Sequence, residues 1–333
     1  MSQEFSRDAV LPSAAAGADA PRVRFVEISP ERAGQRIDNF LVTTLKGVPK
    51  SRVYRMLRKG EVRVNKGRVK ATYRLVAGDS VRIPPVRVAE EGDKLPPGER
   101  LLQRIESAIL REEKGFLIIN KPSGIAVHGG SGISHGVIEA LRASRPEAPY
   151  LELVHRLDRD TSGCLIIAKR RSVLRELHRL LREDGMDKRY LALVKGAWRG
   201  GERRVTAALR KNTLKSGERV VVVDAVEGKQ ALSLFRPVTR YRDATLVEVT
   251  LKTGRTHQIR VHAASIGQPI AGDDKYGDDA FSASLRRQGL KRLFLHAHSL
   301  AFRLPGIDDE IRVSAPLDGE LTAVLNKLEK IEK

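Results

Sequence analysis

The residues with the types and spacing for chemistry fall into three polar clusters, each beside an apolar run. The first is His155-Arg156-Leu157-Asp158-Arg159-Asp160-Thr161-Ser162-Gly163, which leads directly into the run Cys164 to Ala168. Short polar residues ending at a glycine suit a loop that delivers side chains to a sheet edge, and Asp158 or Asp160 read equally well as caps of a turn. Two neighbouring carboxylates do not by themselves make the acid/base pair of a glycosidase. The second cluster, Gly254-Arg255-Thr256-His257-Gln258-Ile259-Arg260-Val261-His262, follows an alternating run from Leu246 to Leu251. Its density of cations and amides suits an oxyanion, with a helix start capped by Thr256 as the competing reading. The third, Asp187-Lys188-Arg189-Tyr190, opens the run Tyr190 to Val194. Taken alone, Tyr190 is a core or edge aromatic.

Other candidate ligands are weaker. His296-Ala297-His298 places two imidazoles on one strand face, and Asp273-Asp274 lies near Asp278-Asp279. Neither spacing is a metal signature, so structural histidines and a solvated acidic loop are expected. The single cysteine, Cys164, excludes an intrachain disulfide and a multi-cysteine zinc site. No nucleotide-cofactor motif is present, and neither a cofactor nor a catalytic metal is expected.

The elements that position these clusters follow from periodicity. Phe116 to Ile119, Leu165 to Ala168, Tyr190 to Val194 and Leu246 to Leu251 read as strands, and Leu293-Phe294-Leu295 adds a further candidate. Val173, Leu174, Leu177, Leu180 and Leu181 trace one face of a helix. Strands and helices in this order fit an α+β domain, with a mixed or antiparallel sheet and packed helices, better than regular βαβ repeats.

An N-terminal unit precedes this domain. Gly34 to Leu41 opens a short helix with Ile37, Phe40 and Leu41 on one face, and Pro49 begins a second with Val53, Met56 and Leu57 inward and Gly60 as its stop. Glu61 to Asn65 and Arg68-Val69 read as strands around a Lys66-Gly67 turn, and Val81 to Ile83 as another. Domain bounds are thus expected as a flexible tail at 1–21, a small α/β unit at 22–88, a charged Pro/Gly-bearing linker at 89–100 and the large domain at 101–333.

Charge indicates the partner. The 333-residue chain carries 61 Lys and Arg against 41 Asp and Glu, a net charge of +20. Such a field favours phosphate-rich ligands. In the small unit Lys46, Lys50, Arg52, Arg55, Arg58, Lys59, Arg63, Lys66, Arg68 and Lys70 are interrupted by one acid, Glu61. Arg52, Arg55 and Lys59 share a helix face, where like charges repel unless a polyanion relieves them. Such cations mainly position phosphates. No apolar run reaches the roughly 20 residues of a membrane span, and the opening residues lack a signal-peptide pattern. Cytoplasmic residence and a monomer are the economical expectations.

Asn120-Lys121-Pro122-Ser123-Gly124, the two long clusters and Lys188-Arg189-Tyr190 occur here in an order that resembles the large-subunit-rRNA branch of the RluA-type pseudouridine synthases. The resemblance runs from about Phe25 to the C-terminus, and its first part is similar to an S4 RNA-binding domain. Gly34 to Val88, with Lys46-Gly47-Val48-Pro49-Lys50-Ser51, is most similar to enzymes that modify three uridines near the peptidyl-transferase region of 23S rRNA.

The resemblance implies isomerisation of uridine to pseudouridine in 23S rRNA or a large-subunit assembly intermediate. It also implies the pseudouridine synthase fold, Asp158 as the catalytic carboxylate, Tyr190 as the active-site tyrosine and Arg260 as the arginine paired with Asp158. Arg156 matches the residue implicated in flipping the nucleotide, with Arg255 and His257 supporting RNA or loop. Lys50, Arg52, Arg55, Arg58, Lys59, Arg63, Lys66 and Arg68 are the expected S4 contacts. A synthase for another rRNA or tRNA site, and a non-catalytic ribosome-assembly factor, are the alternatives. Asp158 either attacks a sugar-derived centre or removes a ribose proton.

Overall fold

Pro49 and Gly60 bracket a helix, as expected, in the computed structural model of the protein, which describes residues 22–331 except 46, 87–95, 131–133 and 214–218. The chain divides between residues 94 and 95 into two compact units. The tail expected at 1–21 lies outside the described residues, as does most of the expected linker; residues 99 and 100 of that linker are already helical.

The first unit holds β1 (Arg24–Glu27), α1 (Ile37–Thr44), α2 (Lys50–Lys59), β2 (Arg63–Val64) and β3 (Ser80–Ile83). Helix α2 ends because Gly60 adopts φ 69° and donates its N–H to the carbonyls of Leu57 and Met56. Ile37, Phe40 and Leu41 of α1 and Val53, Met56 and Leu57 of α2 are buried together with Val64, Val81 and Ile83. The sheet order is β1-β3-β2, all antiparallel. The Arg68-Val69 strand does not form. Asn65 and Lys66 both take positive φ in a tight turn, Val64 and Gly67 exchange hydrogen bonds of 3.0 and 2.8 Å, and the hairpin stops there. β2 pairs instead with β3 through Val64 and Val81, which buries both side chains.

The second unit contains α3 (Glu99–Glu106), β4 (Ile109–Glu112), β5 (Phe116–Lys121), α4 (Val137–Ser144), β6 (Glu152–Leu153), β7 (Ser162–Ala168), α5 (Arg171–Arg182) and β8 (Met186–Lys195). It continues with β9 (Arg203–Thr213), β10 (Arg219–Val223), β11 (Lys229–Arg240), β12 (Ala244–Leu251), α6 (Gln258–Ser265), α7 (Asp279–Gln288), β13 (Leu295–Phe302), β14 (Ile311–Ser314) and α8 (Gly319–Lys327). The strands form one mixed sheet in the order β10-β9-β11-β12-β8-β13-β7-β5-β4, with β14 on β13 and β6 on β7. The unit is α+β.

Period-two alternation sorts the apolar strands onto two faces. Leu117, Ile119, Leu165 and Ile167 join Tyr190, Ala192 and Val194 on one side. Phe116, Ile118, Cys164, Ile166 and Ala168 pack on the other side, against Leu177 and Leu180 of α5. Cys164 is fully buried there, and burial pushes its thiol up to about 12. The strand expected at Leu293-Phe294-Leu295 starts two residues later and continues past His298. Leu193 donates to the carbonyl of Phe294 and Phe294 to that of Ala271, so the expected start is occupied by irregular backbone bonding.

Among the described strands, only β7 and β13 pair in parallel, through His296 opposite Ser162 and Ala297 opposite Gly163. This contact joins the two halves of the sheet. Gly163 has φ +109°, and a Cβ there would stand 2.2 Å from the Ala297 carbonyl oxygen. No side chain fits. Gly163→Ala is therefore expected to destabilise the second unit by about 2 kcal/mol or more. Thermal unfolding of the full chain should show its transition lowered by roughly 4 °C or more; an unchanged transition would remove this contact from the account.

Candidate active site

Three segments of the second unit meet in one cleft. The loop before β7 supplies Arg156, Asp158 and Thr161, β8 supplies Tyr190, the residues leading into α6 supply Arg255 and His257, and the first turn of α6 supplies Arg260. Each segment is held by bonds that its own sequence provides.

The Asp158 loop is tied down from the neighbouring turn. Lys121 is fully buried, and its ammonium donates to the carbonyls of Pro122 (2.8 Å), Ile125 (2.7 Å) and Arg159 (3.0 Å). Three donors meet three acceptors. Burial lowers its pKa to about 7, although the charges of Asp160 and Asp158 oppose the shift. Ser123 donates to the carbonyl of Asp160, and the Gly124 N–H to that of Arg159. Behind the loop, His155 Nε2 accepts the Ile166 N–H at 3.1 Å. The Asn120–Gly124 turn thus anchors the two residues that follow Asp158.

Helix α6 starts without the expected Thr256 cap. His257 occupies the cap position with φ 53° and ψ 19°, a left-handed backbone that non-glycine residues adopt at a cost of order 1–3 kcal/mol. The buried side chain of Gln258 holds the approach to the helix. Its amide oxygen accepts from the Thr253 hydroxyl (2.7 Å) and the Arg255 N–H (3.0 Å), and its amide nitrogen donates to the carbonyl of Leu232 and the hydroxyl of Ser233.

Arg260 was expected to pair with Asp158. Its hydrogen-bonded partner is instead Asp273, which Nε and Nη2 grip at 2.8 and 2.6 Å. The remaining nitrogen, Nη1, lies 3.9 Å from Asp158 Oδ2, at ion-pair range but beyond a hydrogen bond. Asp273 is buried, not part of a solvated acidic loop, and it also accepts the N–H groups of Lys275 (2.9 Å) and Tyr276 (3.0 Å). Burial raises its pKa, but Arg260 and these backbone donors more than offset that, leaving it below the usual carboxylate range. Gly277 closes the turn: a Cβ there would meet the Asp273 carbonyl oxygen at 2.1 Å.

His257 Nε2 also stands 3.9 Å from Asp158 Oδ2. Burial lowers the His257 pKa while the Asp158 charge raises it, and the net direction is down. Tyr190 is buried, and burial followed by the Asp158 charge pushes its phenol upward. Arg156 is exposed beside the cleft, and exposed Arg255 rests its Nε on the carbonyl of Gln230 at 3.4 Å. His296 and His298 are structural: both face the Ala315 carbonyl, and His296 also contacts the Ser162 hydroxyl.

Spacing alone missed Asp273 and Tyr276. The available signal was Gly272 and Gly277 around a short polar segment, which marks a constrained turn. In the first unit Lys50, Arg55, Arg58, Lys59, Arg63, Lys66 and Arg68 are exposed, while Arg52 is half-buried at 3.4 Å from Glu61.

A profile described as RNA pseudouridylate synthase matches residues 115–265, and one described as S4 domain matches 35–81. The protein called ribosomal large subunit pseudouridine synthase C in Escherichia coli (strain K12) is 57% identical over 313 residues, covering 93% of this chain and 98% of that protein. The chain belongs to the RNA pseudouridylate synthase family. A protein of the same description in Haemophilus influenzae (strain ATCC 51907 / DSM 11121 / KW20 / Rd) is 56% identical over 308 residues, covering 92% of this chain and 95% of its own. Among solved structures, human RNA pseudouridylate synthase domain containing 4 superposes with a TM-score of 0.57 at 25% identity, over 69% of this chain and 97% of that one. The fold is that of the pseudouridine synthases, and the protein is an RNA-modifying isomerase with an N-terminal S4 domain.

In this pseudouridine synthase, Asp273→Asn leaves the buried Arg260 charge without its counter-ion, and a loss of about 3 kcal/mol is expected. The pH dependence checks the cause. A carboxylate whose folded pKa is depressed stabilises above its unfolded value near 3.9 and loses that contribution as pH falls through the folded value. The difference in unfolding free energy between wild type and Asp273→Asn should therefore be full at neutral pH and shrink below about pH 4. A gap independent of pH would reject the ion pair as its source.

Proposed function

We propose that the protein isomerises uridines of large-subunit ribosomal RNA, in 23S rRNA or an assembly intermediate, with Asp158 acting on the ribose of a flipped nucleotide. The observation that carries this reading is the convergence of Asp158, Tyr190 and Arg260, from three separate segments, on one cleft. The relatives' printed names supply the substrate class. The cleft needs no second copy of the chain, and a substrate in the ribosome's RNA fits cytoplasmic action by a monomer.

The chemistry breaks the bond from C1′ to N1 and makes one from C1′ to C5. The C5 proton leaves and N1 gains one, so atoms balance without hydrolysis or redox change. A carboxylate suits the electron-deficient sugar, whether Asp158 attacks it or removes a ribose proton. Arg260 keeps Nη1 towards that carboxylate because Asp273 already holds its other two donors. Tyr190 presents a ring against which the detached uracil stacks while it turns, an interaction worth about 1–3 kcal/mol per base. Its phenol is protonated at rest, so it can accept the C5 proton only after giving up its own. Flipping costs a few kcal/mol, and Arg156, exposed beside Asp158, is placed to contact phosphate or fill the vacated stack. Arg255 and His257 support RNA or loop at the same cleft.

The S4 unit supplies the electrostatic grip. Arg55, Arg58 and Lys59 are exposed on α2, and Lys50, Arg63, Lys66 and Arg68 extend the basic surface, with Arg52 at its margin. Substituting Arg55 and Lys59 together by Ala should reduce the salt dependence of RNA affinity by roughly 0.7–0.9 per lost phosphate contact. Equal slopes before and after would rule out these contacts.

Pseudouridine mapping across all cellular RNA, in cells lacking the protein and restored with wild type or Asp158→Asn, tests the whole reading. Wild type should restore modification in the large-subunit RNA, and Asp158→Asn should restore none while still binding RNA. Restoration confined to another RNA would reassign the substrate. Full restoration by Asp158→Asn would exclude the catalytic role.

A further inference from the structure

Tyr276 touches both groups that face Asp158. Its hydroxyl lies 2.8 Å from His257 Nδ1 and 2.8 Å from the backbone nitrogen of Val221 on β10. Its ring lies beneath the Arg260 guanidinium, 5.1 Å from Cζ to centroid, and meets the His257 ring edge-on at 5.6 Å. One side chain therefore contacts the two residues whose nitrogens stand 3.9 Å from the same carboxylate oxygen.

The direction of these hydrogen bonds can be worked out. The Val221 N–H can only donate, so the phenol oxygen accepts there. Accepting from Nδ1 as well would leave the phenol proton without a partner among the described residues, so that proton goes to His257 Nδ1, which presents a lone pair. A neutral imidazole with its lone pair on Nδ1 carries its proton on Nε2. Nε2 is the atom that faces Asp158. We infer that Tyr276 is a positioning residue for the reaction: it fixes His257 as the neutral Nε2–H tautomer with that donor turned to Asp158, and it backs Arg260 with its ring.

The surroundings favour this state. The groups around His257 are Asp158 from the catalytic loop, Arg260 from α6, and Asp273, Lys275 and Tyr276 from the turn after it. Burial, with Arg260 and Lys275, works against an imidazolium, whereas Asp158 and Asp273 favour it. Protonating Nδ1 would also force the Tyr276 hydroxyl to turn its proton away. A neutral N–H donor suits the chemistry, because it can orient a carboxylate without surrendering a proton to it. The left-handed backbone at His257 places the ring between Asp158 and Tyr276.

The inference rests on Asp158 acting on the ribose, but its first readout does not require activity. Nitrogen chemical shifts of His257 across a pH series should show Nε2–H in the wild type. Tyr276→Phe keeps the ring beneath Arg260 and removes the hydroxyl. The His257 pKa should then rise, its tautomers should mix, and single-turnover pseudouridine formation should slow roughly tenfold, with the larger loss on the acid side. Tyr276→Leu, lacking the ring as well, should be slower still. A wild-type His257 protonated on Nδ1 would overturn the assignment. So would a Tyr276→Phe protein with unchanged tautomer, pKa and pH–rate profile. If Tyr276→Phe does not fold, His257→Asn tests the same donor, since Asn tolerates the left-handed backbone. It should slow the single-turnover rate at saturating RNA, and a normal rate would sink the proposal. Wild-type protein that shows the Nε2–H tautomer but modifies no RNA would count against the reaction assigned to the site, leaving the positions of His257 and Tyr276 intact.

Discussion

The buried ion pair between Arg260 and Asp273 is the constraint on which the cleft depends. A guanidinium taken out of water carries a desolvation cost of several kcal/mol unless a counter-ion and hydrogen bonds compensate it. Asp273 provides both, through two bonds of 2.6 and 2.8 Å, and is itself held by two backbone N–H groups. Had Asp158 been the sole partner, the same compensation would have locked its carboxylate into a bidentate clamp. With Asp273 taking that role, Arg260 holds its charge near Asp158 at 3.9 Å without hydrogen-bonding to it.

The sheet turns that local arrangement into a site. Asp158 precedes β7 and Tyr190 lies on β8, and these strands are not neighbours: β13 runs between them, parallel to one and antiparallel to the other. The distance from the Asp158 loop to Tyr190 is therefore set by how closely β13 approaches β7, and that approach exists only because position 163 has no side chain. Lys121 and Arg260 then divide the work of the cations. Lys121 uses its ammonium as a mechanical tie among three carbonyls, in a burial deep enough to bring its pKa to about 7. Arg260, whose guanidinium stays charged in any protein, supplies the field.

Much of this was legible in the sequence because it is local. Residues Val53, Met56 and Leu57 between Pro49 and Gly60 announce α2, and unbroken apolar runs announce β5, β7 and β8, since period and punctuation are fixed by neighbours in the chain. The motifs around Asp158, Tyr190 and Arg260 were legible through resemblance, and the structure brings them together. What failed was long-range. Arg68-Val69 has the composition of a strand, yet β2 finds its ladder on β3. Thr256 is a good cap by type, but Gln258 and the left-handed His257 hold the approach to α6. Asp273 looked solvated because three other carboxylates lie within six residues of it. Whether one of them is buried is decided by a guanidinium thirteen residues earlier, whose side chain no periodicity describes.

The chain, with a net charge of +20, sets its cations in two different surroundings. In the S4 unit Arg55, Arg58 and Lys59 of α2 stand exposed to solvent, where cations in general can exchange counter-ions for the phosphates of a polyanion. In the cleft Arg156 and Arg255 are likewise exposed, whereas a cation buried there needs a partner to offset its desolvation. Arg260 is therefore matched by Asp273, and burial lowers the pKa of His257, whose Nδ1 lies against the Tyr276 hydroxyl. The protein thus leaves one set of cations in water, on α2 and at the cleft, and neutralises Arg260 within a folded network.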